Sequence, residues 1–205
     1  MIDIPTTAGL ATRRFLSATV SYDPAMRITL AVAPLTAEAF APYGRILRPS
    51  GARDSGREGY DIWIQPFTAE SRPRLQIVRY HARPFVVAVI ERHRHVSEAR
   101  QPLGGPPAII VVAEPSENPP QPQALRAFRL DGEGVLFHRG TWHAIDAFPE
   151  GAAHADFLFL SEDATVAELF EQPDKPPLRT QIHDFRADGI DVVIDVNSLY
   201  LNKNS

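Results

Sequence analysis

Four of the seven histidines fall in two short stretches of the chain, each with the residue types that hold a metal ion or move a proton. The first stretch is Glu91-Arg92-His93-Arg94-His95-Val96-Ser97-Glu98, directly after the apolar run 85–90. Side chains alternate along a strand, so Glu91, His93 and His95 share a face. Glu98 has the opposite parity and joins them only if the chain turns near Ser97. The second stretch runs from Gly132 through Phe137-His138-Arg139-Gly140-Thr141-Trp142 to His143. Together His93, His95, Glu98 and His143 make a set of three nitrogens and one oxygen suited to a divalent Ni, Mn, Fe, Co or Zn ion. A His-x-His at a strand end is, in isolation, more often a solvated polar pair. The matching second histidine stretch is what favours a metal site here.

Composition narrows the setting. At 205 residues the chain has the size of one domain, or of one domain with a modest appendage. Twenty-one Lys and Arg against 25 Asp and Glu give a formal charge of −4, so no basic face points to nucleic acid or to an anionic membrane. The absence of cysteine excludes a disulfide framework, thiolate zinc, iron–sulfur clusters and a cysteine nucleophile, and leaves His, Asp, Glu or Asn to hold any metal. The N-terminus lacks a long apolar run and reads as neither a secretory signal nor a membrane span, so a cytoplasmic location is expected. There is no Gly-rich dinucleotide fingerprint, phosphate-binding loop or nucleophile elbow, and nucleotide cofactors are not expected.

The elements that must position these side chains are strands. Nineteen prolines divide the chain into pieces too short for long helices, and most are rich in Val, Ile, Phe and Leu. Strands are expected at 60–65, 75–81, 85–95, 108–113, 125–130, 134–137, 143–148, 155–160 and 190–196, with Asp131-Gly132-Glu133-Gly134 joining two of them as a hairpin. Two short helices are expected. Thr36 caps one that runs to Tyr43 and stops at Gly44, and a capping box from Thr165 to Glu168 opens another before Pro173. Phe40 and Tyr43 should pack the first helix on the barrel, and Trp142, Phe137 and Phe157 read as core. Residues 1–27 read as an N-terminal arm and 28–205 as the barrel domain with an extra C-terminal strand. Arm and strand are expected to lie along a partner subunit in a homodimer.

Both histidine stretches resemble the two cupin motifs, G-x5-H-x-H-x3,4-E-x6-G and G-x5-P-x-G-x2-H-x3-N. His93, His95, Glu98 and Gly105 follow the first, with two residues rather than three or four before the Glu and no leading Gly. Gly132, Gly140 and His143 follow the second, with His138 for Pro and Ala147 for Asn. Five segments are similar, in order, to the ureidoglycolate lyase family: Leu35-Thr-Ala-Glu-Ala-Phe40-Ala-Pro-Tyr43-Gly44, Glu91-Arg-His93, Leu125-Arg-Ala-Phe128, His138-Arg-Gly-Thr-Trp142-His143 and Asp156-Phe157. The resemblance covers about residues 30–165. It implies an all-β, cupin-type double-stranded β-helix (a jelly-roll barrel), usually dimeric, that cleaves ureidoglycolate to glyoxylate and urea with a divalent metal. The chain departs from the family pattern at Glu98, where Gln is usual, at Arg100-Gln101 in place of an apolar pair, and at Ala144 in place of a second His.

Cleavage of such a carbinolamide needs the hydroxyl proton removed and the departing nitrogen protonated, for which Glu91 and His138 are the candidates. The substrate carboxylate needs a cation, for which Arg79 is the first candidate and Arg139 the next, with Arg92 behind them. A lone strand arginine is more often a solvated charge. The expected ligand is thus a small hydroxy acid or ureido acid, with no nucleic acid or membrane partner. Two further readings share the same ligand set: a metal-dependent cupin oxygenase or isomerase acting on a small organic acid, and a non-catalytic cupin that binds small acids.

Overall fold

The computed structural model describes residues 26–172 and 175–198. Most of the expected N-terminal arm therefore lies outside the described residues. In chain order the strands are β1 (Met26–Ala33), β2 (Gly44–Leu47), β3 (Ser55–Arg57), β4 (Tyr60–Ile62), β5 (Pro73–His81), β6 (Val86–Val87), β7 (Val89–His93) and β8 (Glu98–Pro102). They continue as β9 (Ala108–Ala113), β10 (Arg126–Leu130), β11 (Gly134–Phe137), β12 (Trp142–Ala144), β13 (Phe148–Pro149), β14 (His154–Glu162), β15 (Thr180–Asp184) and β16 (Ile190–Asp195). The large sheet has the order β15-β7-β12-β9-β10-β1-β16-β6, with β13 also on β9; the smaller has β2-β11-β8-β14-β5. Pairing is antiparallel except for β1, which runs parallel to both β10 and β16.

The continuous apolar run Ala108-Ile-Ile-Val-Val-Ala113 is buried along its whole length because β9 has a core on each face. Ile110 and Val112 point between the two sheets, where they meet Phe128 and Leu130 of β10 and Val135, Phe137, Phe157 and Phe159 of the smaller sheet. Ile109 and Val111 point the other way, into a second core with Leu30, Trp142, Val192 and Ile194. The two-residue side-chain period thus builds two cores from one strand.

Several expectations are corrected. Asp131-Gly132-Glu133-Gly134 is not a hairpin: β10 and β11 lie in different sheets, and the turn, with Gly132 at φ 86°, arches between them. The arch lets both runs face one core from opposite sides. The expected strand 85–95 is two strands, β6 on β16 and β7 between β12 and β15, and it ends at His93. The strand near the C-terminus, β16, lies inside the large sheet of its own chain, with β1 and β6 bonded to its two edges, so neither edge is left to pair with a partner's strand. The polar strands β8 and β15 escape a search for apolar runs, because β8 carries buried charges.

Thr36 caps α1 (Ala37–Phe40) as expected, its Oγ1 accepting from Ala39 N at 3.1 Å. Gly44 has a further role: a Cβ there would sit on the carbonyl oxygen of Leu136, so only glycine lets β2 lie against β11. The second helix, α2 (Asp163–Val166), starts two residues before the expected Thr165 and passes into a π-helical turn, Ala167–Glu171. Thr165 Oγ1 donates to Glu162 Oε1, and Ser71 Oγ accepts from Ala164 N. Glu168 does not close a capping box; its carboxylate accepts from the backbone N–H groups of Leu178, Arg179 and Thr180 and ties the segment before β15 to the helix.

Candidate active site

The interior between the two sheets ends, beyond the aromatic core, in a cluster of five ionisable side chains. Glu91 and His93 alternate inward from β7, His143 comes from β12 beside them, and Glu98 and Arg100 alternate inward from β8 on the opposite sheet. All five are buried. The chain leaves the sheet after His93, bends through Arg94 and His95, and re-enters the smaller sheet at Glu98, so the turn near Ser97 brings Glu98 to the same point.

The contacts are close. His93 Nε2 lies 3.2 Å from Glu98 Oε2 and 3.8 Å from Glu91 Oε1. His143 Nε2 lies 3.6 Å from Glu91 Oε1 and 3.8 Å from Glu98 Oε1. Arg100 Nε donates to Glu98 Oε1 at 2.7 Å, and the guanidinium sits over the rings of Phe159 and Phe137. His143 stacks on Phe137 at 5.0 Å between centroids. His143 Nδ1 is 3.1 Å from the carbonyl oxygen of Thr141, which can only accept, so the neutral ring carries its proton on Nδ1 and turns the Nε2 lone pair toward the carboxylates. That Nε2 is buried and has no hydrogen-bond partner among the described residues.

The electrostatics separate the two histidines. Burial and then the charge of Arg100 hold His143 below its ordinary value, so it is neutral near pH 7. Burial also works against charging His93, but the hydrogen bond to Glu98 and the charges of Glu91 and Glu98 outweigh it and raise its pKa. Burial alone would protonate Glu98; the charge of Arg100 and the hydrogen bond from His93 instead hold it well below the usual carboxylate range. Glu91 is likewise lowered, against burial, by His143 and His93.

Of the four expected ligands, His93, Glu98 and His143 are brought together. Glu91, His93 and His143 present ligand atoms all within 4.8 Å of one another, with Glu98 touching both histidines. His95 is not with them: beyond the end of β7 its side chain turns out, and Nδ1 lies 2.7 Å from Glu70 Oε2. His138 is exposed, 3.3 Å from the carbonyl of Ala41, and lines a separate groove with Trp63 and Arg45. Arg79 alternates outward on β5 and is paired through two bonds of 2.7 Å with Asp156. Arg139 is exposed and donates to Glu70 and to the carbonyl of Arg94, while Arg92 points away from the cluster to Glu117, over Trp142. The cation the cavity does contain, Arg100, was missed; its signal was the spacing Glu98-x-Arg100, which on a strand puts both charges on one face.

A cavity of about 170 Å³ opens above the cluster, lined among others by Gln76, Tyr80, Ser161, Leu169 and Phe170. A two-sheet β barrel with imidazoles and carboxylates from both walls gathered at one interior point defines a cupin-type protein. The description "Ureidoglycolate lyase" belongs to the family model that matches residues 27–179, and the chain belongs to that family. A ureidoglycolate lyase of Rhodobacter capsulatus is 38% identical over 159 residues, which cover 73% of this chain and 96% of the relative. Those of Stutzerimonas stutzeri and Pseudomonas putida are each 37% identical over 125 residues, 56% of this chain and 73% and 74% of theirs. Among solved structures, RmlC from Streptococcus suis in complex with dTDP-D-xylose aligns with 45% of this chain and 43% of its own at a TM-score of 0.28 and 11% identity.

Proposed function

We propose that the chain is a carbon–nitrogen lyase that splits ureidoglycolate into glyoxylate and urea in this cavity. The observation that carries the reading is the orphaned Nε2 of His143, a lone pair aimed into a buried cluster of two carboxylates, a second imidazole and a guanidinium. The names of the relatives support the same reaction.

Arg100 suits the substrate carboxylate. It is fully buried at the cavity, and its Nη2 makes no hydrogen bond among the described residues, whereas an anion carried in without a cation would be costly. His143 Nε2 then takes the hydroxyl proton, the O–H electron pair becomes the carbonyl of glyoxylate, and the C–N bond breaks. His93, whose pKa its two neighbouring carboxylates raise against burial, gives the proton its Nε2 carries when charged to the departing nitrogen, which leaves as urea. Two titratable groups pushed apart by their surroundings are what acid and base assignments require.

The donor set also fits a divalent ion, which Glu91, His93 and His143 would hold with Glu98 beside them. Held there, such an ion would lower the pKa of the carbinol hydroxyl and orient it. Glu98 is then the group left to carry a proton from oxygen to nitrogen. Metal analysis of the purified protein, with glyoxylate release from wild type, His93→Ala and His143→Ala, tests the proposal. A stoichiometric divalent metal lost in both variants supports the ligand set. Wild-type glyoxylate release in both variants ends the reading.

Outside the cavity, Leu75 and Ile77 of the edge strand β5 are exposed and lie across from Leu160 and Leu158 of β14. This apolar outer face supports the expected homodimer, for which a dimeric mass in solution is the check.

A further inference from the structure

Resting on the lyase reading, we propose that Gln76, with Ser161 beside it, recognises the ureido group of the substrate while Arg100 holds the carboxylate. The placement follows from strand register. Gln76 of β5 lies directly across from Phe159 of β14, and Phe159 directly across from Arg100 of β8. All three line the cavity, so they form one row across the inner face of the smaller sheet, with the aromatic ring in the middle. The neighbours of Gln76 along β5, Leu75 and Ile77, point outward and are exposed, the alternation that turns the carboxamide inward. Ser161 stands two residues along β14 from Phe159, buried on the same inward face, and also lines the cavity.

Two strand spacings set the backbones of Gln76 and Arg100 about 10 Å apart. A ureido acid measures about 5 Å from carboxylate carbon to terminal nitrogen, and a hydrogen bond of about 2.9 Å at each end extends its reach to that spacing. Its anionic end belongs on Arg100, whose guanidinium sits over the Phe159 ring, 4.7 Å from Cζ to the centroid. Its neutral end then meets matching chemistry. A carboxamide offers a carbonyl acceptor and an NH2 donor, and a ureido group offers the same pair in return, so the two join through two parallel hydrogen bonds. The Ser161 hydroxyl donates to the second lone pair of the ureido carbonyl. Among the described residues neither the Gln76 carboxamide nor the Ser161 hydroxyl makes a hydrogen bond. The other neutral polar groups of the lining are engaged: the Tyr80 hydroxyl donates to the carbonyl of Ile145 and the Thr165 hydroxyl to Glu162.

The test is a cycle between ligand and protein, read by calorimetry and thermal stabilisation of the purified full chain. Ureidoacetate lacks the hydroxyl and cannot collapse, so it reports on binding alone. N-acetylglycine carries CH3 in place of its terminal NH2 at nearly the same size, and glycolate lacks the ureido group altogether. Wild type should bind ureidoacetate roughly fivefold or more tighter than N-acetylglycine, which leaves the Gln76 carbonyl without a donor. Gln76→Met, of similar length, should bring that ratio to about one or below. Ser161→Ala should weaken both ligands by the same factor, because they share the carbonyl, and neither variant should change the affinity for glycolate. In turnover, Gln76→Met should raise KM for ureidoglycolate about tenfold with kcat changed less, since the contact is made in the ground and transition states alike. No binding of ureidoacetate to wild type, a wild-type ratio near one, a ratio that survives in Gln76→Met, or an equal loss of glycolate binding in that variant overturns the inference. If ureidoglycolate still releases glyoxylate in that event, the lyase reading survives the failure. The expected ratios without glyoxylate release from wild type support ureido recognition by Gln76 and remove the lyase reading instead.

Discussion

Replacing Arg100 by Met isolates the ion pair on which the electrostatics of the site rest. Arg100 is 1% exposed, Glu98 6%, and the two are joined at 2.7 Å. The substitution keeps most of the volume between Phe137 and Phe159 but leaves Glu98 buried beside Glu91 without its cation, the situation that typically costs about 3–5 kcal/mol. For a domain of this size that corresponds to a fall of roughly 6–20 °C in Tm. The double variant Glu98→Gln, Arg100→Met removes both charges and should return to within about 1–2 kcal/mol of wild type, a coupling of at least about 1 kcal/mol. The pH dependence gives an independent signature. In the wild type the folded Glu98 value lies below the ordinary 4.5, so its contribution is present above that pH and is lost as pH falls. In Arg100→Met the carboxyl escapes by taking up a proton and its folded value lies above 4.5. Its contribution is then largest below that pH and is lost as pH rises. Urea unfolding of the four proteins between pH 4 and 8 measures both effects. A single variant within about 1 kcal/mol of wild type at pH 7, or additive single and double variants, would refute the argument.

Other outcomes follow from the same geometry. His143→Ala should lower kcat/KM for glyoxylate release on the order of 10²–10⁴-fold while circular dichroism stays native, since it removes the orphaned Nε2. His95→Ala and His138→Ala, whose side chains lie outside the cavity, should leave glyoxylate release unchanged and move stability by no more than about 0.5 kcal/mol in thermal unfolding. Gly44→Ala should cost about 1–3 kcal/mol in urea unfolding, because the new methyl meets the Leu136 carbonyl across the β2–β11 pair.

Much of this molecule was legible from local chemistry. The apolar runs around Ile110, Phe128, Val135 and Phe157 are strands, and Thr36 caps its helix, because two-residue alternation and N-cap hydrogen bonding act over a few residues. Glu91 and His93 share a face for the same reason, and the proximity of His143 was expected from the second histidine stretch. Which sheet each strand joins was not legible. The turn at Gly132 has the residues of a hairpin, yet its flanking strands separate, since burying Phe128 and Phe137 in one core, where both meet Phe40, outweighs pairing β10 with β11.

The sequence by itself determined the strand content, the apolar runs and the residue types able to bind an acid or a metal, all of which depend on side-chain chemistry and short-range periodicity. Only the tertiary structure decided which of those residues meet. His95 is two residues from His93 and follows the same alternation, but the strand stops between them and the chain turns, so one imidazole is buried and the other is out beside Glu70. Arg100 reads as an ordinary charge in a polar segment until β8 is placed between β11 and β14, where its inward face lines the cavity. Strand pairing and chain reversal are set by the burial of the whole core, a long-range balance that no local pattern contains.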